Sequence, residues 1–289
     1  MLKEPFMVKE NFTAATANLE LKAKVGESLK IKQLRVGALH SGGFCECLID
    51  RLSIGFFYIG DIAANHLEQC SEADAYPNLF ERMQQLGIFN GYPIAQGETF
   101  EIRPAVAGTD IVGAIIYEIW DAADYKPEDD CGSNSKSFTF VNYGTNAAQI
   151  DAGTYGRLDK SRNPAEYPAF PFGEVVPAGY EIDLLGILLK DWGGYVDNTA
   201  NTMRFLRLTK DRRVLWNEDR RGIYCTQGMS YFTWGPIRQT NTDIKLFPQP
   251  ITFQSGDELL VDLSAAVNVT AEDVMIAFIE KARRVTAAK

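Results

Sequence analysis

Apolar and polar residues alternate with a period of two along much of the chain, the signature of strands with one buried face. In Val25–Val36, Leu29 and Ile31 alternate with Lys30 and Lys32, and Leu34 and Val36 then alternate with Gln33 and Arg35. The phase slips between the two sets, which predicts a bulge or a twist. Phe44–Ile59 is rich in aromatic and β-branched residues and predicts one or two strands. In Gly97–Ala105, Phe100 and Ile102 alternate with Glu101 and Arg103. Asp110–Trp120 follows, with Ile115, Tyr117 and Ile119 on one face and Ile116 and Glu118 on the other. One segment has helical spacing: Asn78–Gly87 places Leu79, Met83 and Leu86 on one stripe, and Gly87 and Gly91 supply stop signals.

The pattern breaks between Tyr125 and Pro171. KPEDDCGSNSKS is polar and turn-rich, and Pro164, Pro168 and Pro171 stand among charged residues. These residues read as a connection between two units, with a strand at Phe138–Tyr143. The connection exceeds an ordinary loop in length, so it is expected to pack on a unit or on a neighbouring subunit.

Three strand patterns recur in the same order. Gly26–Ile31 (GESLKI) matches Gly179–Leu184 (GYEIDL) at an offset of 153 residues. Gln96–Ala105 matches Ser255–Ser264 at an offset of 159, pairing Gly97 with Gly256, Glu98 with Asp257, Phe100 with Leu259 and Ile102 with Val261. Asp110–Ile116 (DIVGAII) matches Asp273–Ile279 (DVMIAFI) at an offset of 163. A drift of a few residues in offset is what differing loops produce. The repeat predicts a first unit over 1–135, a connecting segment over 136–170 and a second unit over 171–289. Each unit has room for the eight short strands of a jelly roll. The expected fold class is therefore all-β: two similar jelly-roll barrels or sandwiches in tandem, with a short helix inserted in the first.

On this repeat, the total length, the β-rich pattern and the helix ahead of the last strands of the first unit, the chain resembles the double jelly-roll major capsid proteins of icosahedral viruses, many of which enclose a membrane. The resemblance covers nearly the whole chain. It implies a structural protein of the virion, made in the host cytoplasm, with no enzymatic activity. It implies partners as well: further copies of the chain in a homotrimer of pseudo-sixfold outline that tiles a capsid lattice, other virion proteins, and an internal lipid membrane reached through the termini, where the last residues read KARRVTAAK. Asn217–Pro250 departs from the family pattern. A helix commonly sits there, whereas these residues, rich in Gly, Pro, Thr and aromatics, predict a long loop.

Composition and charge narrow the function classes. The chain of 289 residues is 46% hydrophobic and 23% charged, ordinary for a soluble globular protein. Its formal charge of −9 argues against a protein that coats nucleic acid, and no sequence-specific nucleic-acid contact is expected. Residues 1–145 hold 12 Lys or Arg against 20 Asp or Glu, and residues 146–289 hold 17 against 18. Basic residues of the second half gather at Arg204, Arg207, Lys210, Arg212, Arg213, Arg220 and Arg221. Three readings stand: complementarity to the acidic first unit of a neighbour, a solvated strand and hairpin, or nucleic-acid contact, which Asp211, Glu218 and Asp219 weaken. Arg204, Arg207, Arg212 and Arg213, with Trp192 and Trp234 as aromatic anchors, make the candidate interface set.

Candidate chemistry is sparse. No apolar run approaches the roughly 18 residues of a membrane-spanning helix, and MLKEPFMVKENF lacks the continuous apolar core of a signal peptide. Five cysteines, an odd count, predict reduced thiols, with Cys45 and Cys47 as small hydrophobes on one strand face. The two histidines, His40 and His66, are too few for a metal-binding cupin barrel, and no phosphate-binding or nucleophile motif occurs, so no catalytic, cofactor or metal site is read. Two rivals remain. A two-domain carbohydrate-binding or tail-adhesion protein would use Trp192, Tyr195, Tyr231, Phe232 and Trp234. A glycoside hydrolase would use acid pairs such as Asp129 with Asp130, Glu118 with Asp121, or Asp257 with Glu258.

Overall fold

The computed structural model describes residues 1–11, 18–38, 44–58, 79–85, 87–104, 111–126, 130–132, 135–136, 138–144, 150–158, 175–190, 203–215, 221–224, 244–265, 268–269 and 275–285. The described residues are all-β apart from short helical turns, and the chain divides into two compact units, Met1–Lys136 and Ser137–Lys289.

The first unit runs β1 (Leu2–Glu10), β2 (Leu19–Lys22), β3 (Glu27–Ala38), β4 (Phe44–Ile49), β5 (Leu52–Tyr58), helix α1 (Leu79–Gln85), β6 (Tyr92–Ile94), β7 (Thr99–Pro104) and β8 (Ile111–Asp121). A two-stranded hairpin, β9 (Asp130–Gly132) with β10 (Ser135–Lys136), follows. One sheet has the order β1-β8-β3-β6 and the other β2-β7-β4-β5, with all pairings antiparallel. Alternation fixes the buried rows. Leu19, Leu21, Cys47, Ile49, Phe100 and Ile102 come from one sheet, and Leu29, Ile31, Leu34, Ile94, Ile115 and Tyr117 from the other. Each large apolar side chain so buried stabilises the unit by about 1.5–3 kcal/mol before entropy is counted.

The predicted phase slip is real. The β3–β8 register shifts between Ile31 and Gln33, leaving Lys32 as the extra residue. Its ammonium lies 3.2 Å from Glu118 and donates to Asn90, while its carbonyl accepts from the side chain of Gln84 on α1 at 2.7 Å. The bulge thus holds the helix against β3. Met83 is buried, as the helical spacing predicts, and Phe80, Phe89 and Tyr92 meet edge to face with centroids 5.7–5.9 Å apart.

The second unit runs β11 (Phe138–Gly144), β12 (Tyr155–Arg157), β13 (Tyr180–Lys190), β14 (Met203–Lys210), β15 (Arg213–Val214), β16 (Ile223–Tyr224), β17 (Ile244–Phe253), β18 (Leu259–Ala265) and β19 (Met275–Arg284). Its sheets have the orders β11-β19-β13-β17 and β12-β18-β14-β15, and β16 shares with β15 the edge of β14. Residues 136–170, expected as a connection, supply β11 and β12, which pair with β19 and β18. The second unit therefore begins at Ser137 rather than at residue 171. Counting β15 and β16 as one position, each unit has eight positions in the same two orders, 1-8-3-6 and 2-7-4-5.

The likeness extends to register. Leu29 opposite Ile119 and Ile31 opposite Tyr117 correspond to Ile182 opposite Ala282 and Leu184 opposite Glu280. The bulge after Ile31 recurs after Leu184. Prolines stand on edge strands of both units, Pro5 in β1, Pro93 in β6, and Pro248 and Pro250 in β17. A proline cannot donate to a further strand, so these edges are poor templates for pairing with another chain.

Candidate functional site at a duplicated pole of turns

In each unit the short turns meet at one pole. In the first, the β2–β3 turn and the β6–β7 turn are tied by Ala23 N to Glu98 O and Gly97 N to Ala23 O, both 3.0 Å, and Gly26 N donates to the Gln96 side chain at 2.8 Å. The β4–β5 turn joins them through Asp50 N to Thr99 O, 2.9 Å, while Thr99 N donates to the Asp50 carboxylate at 2.8 Å. The second unit repeats four of these bonds. Val176 N donates to Asp257 O and Gly256 N to Val176 O, both at 2.9 Å. Asp211 N donates to Glu258 O at 3.2 Å, and Glu258 N donates to the Asp211 carboxylate at 2.8 Å.

The glycines paired in the sequence repeat occupy equivalent turns. Gly26, Gly97, Gly179 and Gly256 have φ of +80, +86, +83 and +91°, and a Cβ at any of them meets nothing within 4 Å. Backbone conformation alone requires glycine there. The β4–β5 and β14–β15 hairpins differ from these turns. Each is closed by two consecutive left-handed residues that are not glycine: Asp50 and Arg51 at φ 48 and 71°, Asp211 and Arg212 at 47 and 67°. Two such residues in a two-residue loop give the type I′ hairpin turn, whose second position favours glycine. Aspartate tolerates this region, whereas arginine there costs roughly 1–2 kcal/mol.

Ion pairs link the strands that carry these turns. Glu46 and Arg103 stand opposite each other on β4 and β7, 2.6 Å apart. The equivalent positions on β14 and β18 hold the reverse charges, Arg207 opposite Asp262 at 3.1 Å. Arg157 on β12 reaches the other oxygen of Asp262 at 2.8 Å, and the Arg207 guanidinium lies 4.0 Å from the centroid of the Tyr155 ring. Lys210 pairs with Asp257 at 2.9 Å. The Asp257 carboxylate also accepts from Gln254 N, which is the main cause of its pKa lying below the ordinary aspartate value. Arg283 pairs with Glu181 and Asp183, and its pKa is raised chiefly by Asp183. Burial pushes the pKa of the Cys47 thiol well up, with the Glu46 carboxylate adding to the effect.

The structure sorts the sequence-based candidates. Arg207 is committed to Asp262 and Tyr155 inside its own unit. Arg212 and Arg213 lie exposed on the β14–β15 hairpin. Arg204 belongs to β14, with its side chain outside the description, and Trp192 and Trp234 lie outside the described residues, as do Tyr195, Tyr231 and Phe232. Among the acid pairs, Glu118 holds Lys32 and the Trp120 indole, Asp121 caps the turn at Ala123 and Asp257 holds Lys210. Among the described residues no cluster of three or more His, Cys, Asp or Glu side chains is placed to hold a metal. Arg51, the counterpart of Arg212, went unread in the sequence. Its signal was there: Asp-Arg follows the apolar strand at 50–51 and again follows Lys210 at 211–212, an offset of 161 within a few residues of the other repeats.

No protein-family model matches the chain, and no curated protein sequence matches it. Among solved structures, the CUB1-EGF-CUB2 domain of human MASP-1/3 aligns over 96% of this chain and 99% of that chain, at 8% identity and a TM-score of 0.23. An overlap this loose carries no argument about fold or function.

Proposed function

We propose that the chain is a structural protein, a double jelly-roll capsid subunit that self-assembles through trimers into an icosahedral shell. The observation that carries this reading is the duplicated order, 1-8-3-6 and 2-7-4-5, with the same register and the same bulge in both units. Two four-position sheets in that order are the layout of an eight-stranded jelly roll, a fold shared by capsid, lectin and cupin domains. Fold alone does not fix function. The tandem of two such units and the proline-guarded edges favour assembly by side-chain surfaces over strand addition.

The test is the solution mass of the purified protein by light scattering across a concentration series. A stable species near three times 32.2 kDa, followed by shells in electron micrographs, is the expected result. A monomer at every concentration, retained on a glycan array, would overturn the reading in favour of a carbohydrate-binding protein.

A further inference from the structure

We infer that Arg51 and Arg212 are a duplicated pair of contact residues through which one copy of the chain grips carboxylates on neighbouring copies, an inference that rests on the self-assembling reading above. Both arginines sit at the turn position that glycine fills without cost, and both adopt left-handed backbone, at φ 71 and 67°. Residues held in such conformations by the surrounding structure cluster at ligand clamps and other functional sites. Both side chains are exposed, and neither has an ion-pair or hydrogen-bond partner among the described residues.

Their surroundings have diverged while they have not. Glu46 and Arg103 in the first unit correspond to Arg207 and Asp262 in the second, with the charges reversed. Thr99 corresponds to Glu258, and Leu52 to Arg213. The aspartate before each arginine has a local role, accepting the backbone N–H of Thr99 or Glu258, so the Asp-Arg turn needs its first residue for closure. The second residue has no such role. A guanidinium on a rigid hairpin is a fork suited to a carboxylate. The chain itself supplies the counterpart: it carries 38 acidic against 29 basic residues, and the excess lies mostly in residues 1–145. Charge complementarity therefore points to a second copy of the chain.

The double variant R51G/R212G separates an intermolecular role from a structural one. Glycine is the better residue for the turn, so at a protein concentration at which variant and wild type are both dissociated the variant is expected to fold and to unfold a few degrees higher than wild type. At the same time its oligomer is expected to dissociate at a protein concentration at least tenfold higher, read by light scattering, with a weaker dependence on added NaCl. An unchanged concentration dependence of mass would overturn the inference, as would a lower melting temperature of the dissociated variant, which would assign the arginines a role inside the unit. Unchanged mass with loss of binding to phosphatidylglycerol vesicles would place the contact on lipid and overturn the second copy as partner. A wild-type chain that stays monomeric removes the self-assembling reading itself, and this inference with it.

Discussion

Asp262 joins two guanidiniums inside the second unit, and its neutralisation tests whether that cluster stabilises the sheet. The substitution D262N keeps the shape of the side chain and removes its charge. Asp262 receives Arg157 Nε at 2.8 Å on one oxygen and Arg207 Nε and Nη2, each at 3.1 Å, on the other. Its side chain is 10% exposed, that of Arg207 26% and that of Arg157 39%. A hydrogen bond to a charged group contributes about 1.5–3 kcal/mol when sheltered. The partial exposure of both arginines reduces each pair towards the range of surface ion pairs. In D262N the two guanidiniums also face each other without a counter-charge. The expected loss is about 2–3 kcal/mol, whereas R157A and R207A, each leaving Asp262 with one partner, are expected to cost about 1 kcal/mol. Urea unfolding followed by circular dichroism reads this directly. With a slope of about 1–3 kcal/mol per molar urea, the D262N midpoint should fall by roughly 1 M at unchanged slope. A D262N midpoint indistinguishable from wild type would refute the reasoning, and so would either arginine variant proving as damaging as D262N.

Two further outcomes follow from the turns. G97A and G256A are each expected to cost about 1–2 kcal/mol, because only the left-handed backbone opposes a Cβ there. G222A should cost clearly more, since its Cβ would lie 2.4 Å from the carbonyl oxygen of Leu206; equal melting temperatures for all three would refute the distinction. The pKa of Asp257 is depressed in the folded chain, so its contribution is complete above the ordinary aspartate value near about 4 and is lost as pH falls through the lower folded value. The stability gap between wild type and D257N should therefore narrow between pH 6 and pH 3 in urea titrations, and a gap independent of pH would contradict the assignment.

Much of this architecture was legible in the alternation of side chains. The slip between Ile31 and Gln33, the buried rows of β7 and β8 and the helix around Met83 follow from local pattern, because burial on one face imposes it residue by residue. The turn glycines marked the repeat because their backbone conformation admits little else. The strand β11 was read at Phe138–Tyr143 but assigned to a connection rather than to the second unit, and β12 was harder to place. β12 has three residues, lies among polar turns, and takes its position from β18, more than 100 residues later. The Asp50–Arg51 turn was missed for a different reason. Turn chemistry is sought in glycine and asparagine, and here a costlier residue holds the conformation. The reversed pair of Glu46–Arg103 and Arg207–Asp262 lowers sequence identity while leaving the geometry intact, which is why matching letters understate the repeat.

The position of the last strand in each unit sets an order of events during synthesis. β8 lies between β1 and β3, and β19 between β11 and β13, so in both units the final strand fills the middle of a sheet whose neighbours were made long before it. Until it arrives, two strands have exposed flanks with nothing to pair to, and the contacts that close the sheet span most of the unit. The first unit can complete itself once residue 121 has emerged, while the second is still being translated. A ribosome that stalls after residue 121 has emerged but before residue 275 is added would thus hold one finished half and one that cannot close.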